Sequence, residues 1–174
     1  TTDLVPFTAV AVPPVGQPAI ADGMSTSSVR FRGLQQQADR PFALDSRGRR
    51  YLAAQMAPLG HWLDEGGVIV SPGLGSTAVR RYVDPDLATF NVRRVVGEAL
   101  AGGNDLLVLT RFGPPGEPEA GADNVRSALD WLTQRYAEDE SVRHAIDRAA
   151  RRIITLKFRL YGGPPAASAQ VDAT

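Results

Sequence analysis

Cysteine is absent from this 174-residue chain, and histidine occurs only at His61 and His144. Disulfides, thiolate nucleophiles and cysteine-bound zinc or iron–sulfur clusters are thereby excluded. Two histidines are too few for a His-rich metal site, so no cofactor and no metal is expected. An excess of one charge is also missing, since 19 basic residues match 19 acidic ones. Bulk attraction to nucleic acid or acidic lipid has no basis in such a balance, and no nucleic-acid partner is expected. No apolar run reaches transmembrane length. No basic-then-apolar leader opens the sequence, whose first residue is Thr1, a start that fits processing from a larger protein. The chain is long enough for one domain with a substantial core.

What is present is an alternation of helical and strand patterns. A weak strand is expected around Ala21 to Thr26, followed by a polar excursion from Gly33 to Asp45. Ser46 to Glu65 has helical spacing, with Leu52, Met56, Leu59 and Leu63 near one face and a kink or break at Pro58. Val68 to Val70 reads as a short, buried inner strand. Thr77 to Tyr82 and Asn91 to Ala101 read as helices, the second with Val92, Val95, Val96 and Leu100 inward. The apolar run within Asp105 to Thr110 suits a strand covered on both faces. Gly113 to Gly121 is expected as a loop. Helices are expected over Asn124 to Ala137, with Val125, Leu129 and Leu132 inward, and over Glu138 to Leu160. The order implies an α/β fold of about three parallel strands with crossovers and C-terminal helices. Residues 1–163 are expected to form the domain and 164–174 a flexible tail. Three parallel strands make a thin sheet whose faces and edges need cover.

The most telling stretch is Gly66-Gly67-Val68-Ile69-Val70-Ser71-Pro72-Gly73-Leu74-Gly75. The end of a parallel strand is where α/β folds place their chemistry. Here it offers a serine, a proline and a glycine, none of them a ready acid, base or metal ligand. Gly73-Leu74-Gly75 lacks the lysine of a phosphate loop, and Ser71 has no His/Asp dyad near it in sequence.

Together with Asp3-Leu4-Val5-Pro6-Phe7, Met24 to Phe31, Ala101-Gly102-Gly103-Asn104-Asp105-Leu106-Leu107 and the closing Arg151-Arg152-Ile153-Ile154-Thr155-Leu156-Lys157, this stretch resembles glycoside hydrolase family 3. The resemblance covers Asp3 to Leu160 and is to the later part of that family's (β/α)8 barrel, the last three or so βα units. It implies a partial barrel-like fragment of the β-glucosidase and β-N-acetylhexosaminidase type. In the family, the strand matching Val68 to Ser71 is followed by the aspartate nucleophile of a retaining glycosidase. Pro72 stands at that position, and Gly73 at a second, often acidic one. Ser27-Ser28 stands where the family tends to carry Ser-His, so Ser28 replaces a histidine. The family's sugar-binding and acid/base Lys-His and Gly-His-Gly regions precede the part that matches. Asp64 and Glu65 lie before the strand and belong at its opposite end. Asp84 is the candidate for a relocated carboxylate.

No catalytic residue is therefore assigned. The candidate ligand contacts are Arg30, Arg32, Ser71 and Gly73. His61 and His144 read as surface residues, Asp105 as a structural carboxylate at the barrel bottom, and Trp62 and Trp131 as core or interface residues. The cations Arg143, Arg148, Arg151, Arg152, Lys157 and Arg159, partly balanced by Asp139, Glu140 and Asp147, read as a solvated face. The resemblance implies a catalytically inactive fragment that serves as a structural or protein-interaction subunit, its partner being itself or a second subunit over the strand edges. The alternatives are part of a split or processed retaining glycosidase, active only with a partner chain, and a carbohydrate-binding remnant. Because family members often act at the envelope or outside the cell, an extracellular or cell-envelope location is expected.

Overall fold

The computed structural model describes Ala9 and residues 21–163 apart from Gln36 and Pro115. The matching segment Asp3 to Phe7 and the tail expected over 164–174 lie outside the described residues. Three parallel strands, β1 (Gly23–Ser25), β2 (Val68–Gly73) and β3 (Leu106–Val108), form one sheet in that order. Helices α1 (Ser46–Gln55) and α2 (Ala57–Asp64) link β1 to β2. Helices α3 (Thr77–Val83) and α4 (Val92–Ala101) link β2 to β3, and α5 (Pro118–Glu138) and α6 (Glu140–Tyr161) follow. This is an α/β fold with crossover connections and C-terminal helices, a partial barrel-like arrangement.

The helical pattern expected over Ser46 to Glu65 divides at Met56, whose backbone is extended (φ −123°, ψ 83°). Pro58 explains the division. In a helix interior it would remove a hydrogen bond and clash with the preceding turn, whereas in the first turn its missing N–H costs nothing. Proline also corrects the loop expected over Gly113 to Gly121, because α5 begins at Pro118. Gly121 lies inside that helix, where the absence of a Cβ lets the chain lie close against Gly113. Leu129 is exposed rather than inward. The face of α5 that meets the core runs through Val125, fully buried Ala128 and Trp131 and Leu132.

Two apolar clusters hold the layers together. The larger joins Leu74, Val79, Val92, Val95, Val96, Ala99 and Phe112, with Leu107 and Leu109 packed against it. The smaller joins Leu59, Trp62 and Ile69 beneath Met24 and Leu52. Trp62 is 3% exposed, lies flat against Gly67, and donates its indole N–H to the Ala21 carbonyl at 2.8 Å.

β3 departs from the expectation of a strand covered on both faces. It is shorter than Asp105 to Thr110 and is an outer strand among the described residues. Leu107 and Leu109 pack inward while Leu106 is 42% exposed. The register puts Ser25, Val70 and Leu106 side by side across the sheet. Paired residues of parallel strands share a face, and none of these three is buried. The opposite face carries Met24 and Ile69 into the smaller cluster.

At the N-terminal end of the strands the structure is tied by Asp105, whose side chain is fully buried. It accepts from the Ile69 N–H at 2.9 Å and from Arg152 Nη1 at 3.1 and 3.3 Å. Arg152 Nη2 donates to the Leu63 carbonyl at 3.0 Å. One ion pair thus joins α6 to the starts of β2 and β3 and the end of α2, the structural placement expected for Asp105. Nearby, Arg49 lies against Gly103 and donates to its carbonyl at 2.7 Å. Gly103 has φ +83°, and a Cβ there would come within 1.8 Å of the guanidinium.

Two outcomes follow. Arg152→Ala strands the Asp105 carboxylate and is expected to cost about 3 kcal/mol, read as the shift in the urea unfolding midpoint. A loss comparable to that of a surface arginine would refute the tie. Gly103→Ala is expected to cost roughly 1–2 kcal/mol from its left-handed backbone alone, with a further loss from the collision with Arg49. The second part should disappear when the same change is made in an Arg49→Ala background.

Candidate functional site

The C-terminal ends of parallel strands face one side of the sheet, and the sequence candidates gather there only in part. Ser71 is 2% exposed, and its hydroxyl is engaged in the sheet. It accepts from the Val108 N–H at 2.8 Å and donates to the Pro72 carbonyl at 2.9 Å. This is the placement of a strand-pairing residue, not of a ligand contact. Pro72 is half-buried and brings no titratable group. At Gly73 a Cβ would stand 2.5 Å from Thr110 Oγ1, and at Gly75 one would stand 2.1 Å from the Arg111 carbonyl oxygen. The glycines therefore let the loop after β2 lie directly on the chain after β3. A side chain at position 73 would require the Thr110 hydroxyl to move.

Ser28 is half-buried in the connection after β1, a segment held by Ala43 N–H to Ser27 O at 2.9 Å and Phe42 N–H to Val29 O at 3.0 Å. Arg30 and Arg32 are exposed on that connection. Neither lines the main groove described next, so the structure does not gather them with Ser71 and Gly73 around one cavity. His61 and His144 are both exposed, each four residues from a glutamate on its own helix or at its end, at 3.2 and 3.3 Å.

A shallow, open groove of about 970 Å³ lies beyond β2 and β3, between the loop at Gly75, the Leu109 to Pro114 segment and the start of α5. Its polar lining comes from Thr77, Arg80, Arg111 and Glu117. Arg80 builds its wall. Nε donates to Gly75 O at 3.1 Å, and Nη2 donates to Arg111 O at 2.5 Å and Gly113 O at 2.8 Å. The guanidinium also stacks 4.1 Å from the Phe90 ring centroid, and Phe90 meets Phe112 edge-on. Burial pulls the Arg80 pKa down from the usual arginine value. The groove also holds both non-glycine residues with positive φ among the described residues, Leu87 (58°) and Arg111 (55°). Beside it, the Ser76 hydroxyl is buried without a hydrogen-bond partner among the described residues.

Asp84 does not line this groove. Its carboxylate accepts from the Thr89 N–H at 2.6 Å, the Thr89 hydroxyl at 2.9 Å and the Asp86 N–H at 3.1 Å. The Thr89 backbone bond foremost holds its pKa below the usual carboxylate value. It organises its own loop.

Chemically, the groove presents two guanidinium groups, one hydroxyl and a single carboxylate. Glycoside hydrolysis by paired acids needs two carboxylates at a defined separation, and the groove lining contains no such pair. Arg80, Arg111 and Leu87 were not singled out by sequence reading. An arginine that binds backbone carbonyls leaves no pattern, and leucine and arginine are not residues that announce a left-handed backbone.

Arg80→Ala is expected to destabilise the chain by about 2 kcal/mol through loss of its charge-assisted bonds, and Arg80→Lys to recover little because the planar fork is lost. Hydrogen exchange at the Gly75 N–H, which donates to Thr110 O at 3.0 Å, should speed up in both variants. Unchanged exchange would mean that the loop holds without the clamp.

Comparison with protein-family models, curated proteins and solved structures finds no significant match for this chain, so the glycoside hydrolase resemblance rests on the sequence motifs alone.

Proposed function

We propose that this chain is a catalytically inactive, glycoside hydrolase family 3-like barrel fragment that acts as a structural or protein-interaction subunit of a homo- or hetero-oligomer. The observation that carries this reading is the part of one sheet face left open at Val70 and Leu106, although Val68 on the same face is buried. Parallel sheets are ordinarily covered on both sides, yet the row Ser25, Val70 and Leu106 is not buried, and Leu106 is 42% exposed. Among the described residues no strand pairs beyond β1 or β3. A second chain, alike or different, that adds strands there would cover Val70 and Leu106 and satisfy the edge groups. Pro72 and Gly73, neither of which brings a titratable side chain, support the inactive half of the reading.

The groove beyond β2 and β3 favours a second reading, a non-hydrolytic carbohydrate-binding remnant, since its polar lining can hydrogen-bond a sugar without the acid pair that would cleave it. The split-glycosidase reading needs a partner chain that supplies the nucleophile as well as the acid/base. An extracellular or cell-envelope location belongs to the same proposal.

The test is the native mass of the purified protein, with the intact mass of each component, for the parent chain and for Leu106→Asp. An oligomer that Leu106→Asp dissociates supports the subunit reading. A monomer that co-purifies with nothing, and whose Leu106 row remains open to solvent by hydrogen exchange, overturns it.

A further inference from the structure

The net charge of zero conceals a strong separation of charge along α6. Its acids, Glu140 and Asp147, and its capping residue Asp139 lie in or before the first half. From Arg148 to Gly163 there are five cations, Arg148, Arg151, Arg152, Lys157 and Arg159, and no acid. Arg152 is turned into the fold by Asp105, and Arg159 lies 3.6 Å from Asp22. The solvated face expected of this helix is also not uniformly polar. Ile154 is 49% exposed, Phe158 40%, Leu160 63% and Tyr161 78%.

The inward face of α6 passes through buried Ala149. At about 100° per residue, Ile154, Phe158 and Tyr161 fall within roughly 60° of one another on a different face. Arg151 borders that stripe on one side, where it shares a shallow pocket with Asp64, Glu65 and Asp147, and Lys157 borders it on the other. An apolar centre flanked by cations with flexible stems is the arrangement of a helix lying in a membrane interface, its charged heads reaching the phosphates.

Three other occupants fit less well. Residues 1–20 and 164–174 each contain one acid, Asp3 and Asp172, against the flanking cations. A second α6 paired antiparallel about Ile154 would set Arg151 of one copy opposite Lys157 of the other. Nucleic acid would meet the apolar stripe where it needs charge. No described helix is long and apolar enough to cross a membrane, and α6 is anchored to the sheet by Arg152, so the association is with the surface.

We infer that the C-terminal half of α6 docks on an anionic lipid surface, with Ile154, Phe158 and Tyr161 at the acyl boundary and Arg151 and Lys157 on the headgroups. The experiment is co-flotation of the full chain with vesicles of phosphatidylcholine, with and without phosphatidylglycerol, at low and high salt. Binding is expected only to the anionic vesicles and is expected to weaken with salt. Arg151→Gln and Lys157→Gln should each weaken it by about fivefold. Phe158→Ser/Tyr161→Ser should weaken it further, with far-ultraviolet circular dichroism of all variants unchanged. Absence of binding to anionic vesicles overturns the inference. So does equal binding to both vesicle types, or an oligomer in which Phe158 and Tyr161 are shielded from solvent.

Discussion

The buried carboxylate of Asp105 is the point through which the sheet and the C-terminal helices are joined. It is met by a backbone N–H of β2 and by Arg152 of α6, while Arg152 also holds the last turn of α2. A charge with no exposed side-chain surface is tolerated only when its partners are in place, so this pair sets the position of a helix that has only Ala149 fully in the core. Asn104, next in the chain, does the corresponding work toward α4 and the β1 connection. Its amide donates to Ala43 O and Ala99 O at 2.7 Å each, and its carbonyl accepts from Thr26 Oγ1 at 2.7 Å. Adjacent buried polar residues therefore orient both sides of the sheet from the turn that enters β3.

At the other end of the strands, close backbone packing replaces chemistry. The loop after β2 rests on the chain after β3, and Gly73 and Gly75 are the residues that permit it. Arg80 then secures that contact from the side by binding three carbonyls. A groove arranged in this way is largely apolar with a few polar groups, and its one carboxylate gives it no acid–base pair. The same contact that leaves no space for a side chain at Gly75 shapes the groove between Gly75, Arg111 and the start of α5.

The sequence was most legible where periodicity and stop signals agreed. Val92, Val95, Val96 and Leu100 form the buried stripe of α4, and Gly102-Gly103 ends it. It was less legible where one residue has two uses. Pro118 and Gly121 read as a loop, although proline is well suited to a helix start and glycine to a close crossing within one. Leu129 read as inward from spacing, although Ala128 holds that position. At the candidate site, the absence of a catalytic side chain at Pro72 and Gly73 was legible from residue identity. The groove was not, because its walls come from residues distant in the chain.

The order of elements, the parallel strands they imply and the absence of any cysteine chemistry were determined by the sequence itself, since these depend on local pattern and side-chain identity. Which strand face lies open, which hydroxyl pairs strands rather than meeting a ligand, and which face of α6 is left apolar were decided only by the tertiary structure. Burial is a property of neighbours brought together across the chain, and no window of sequence contains them.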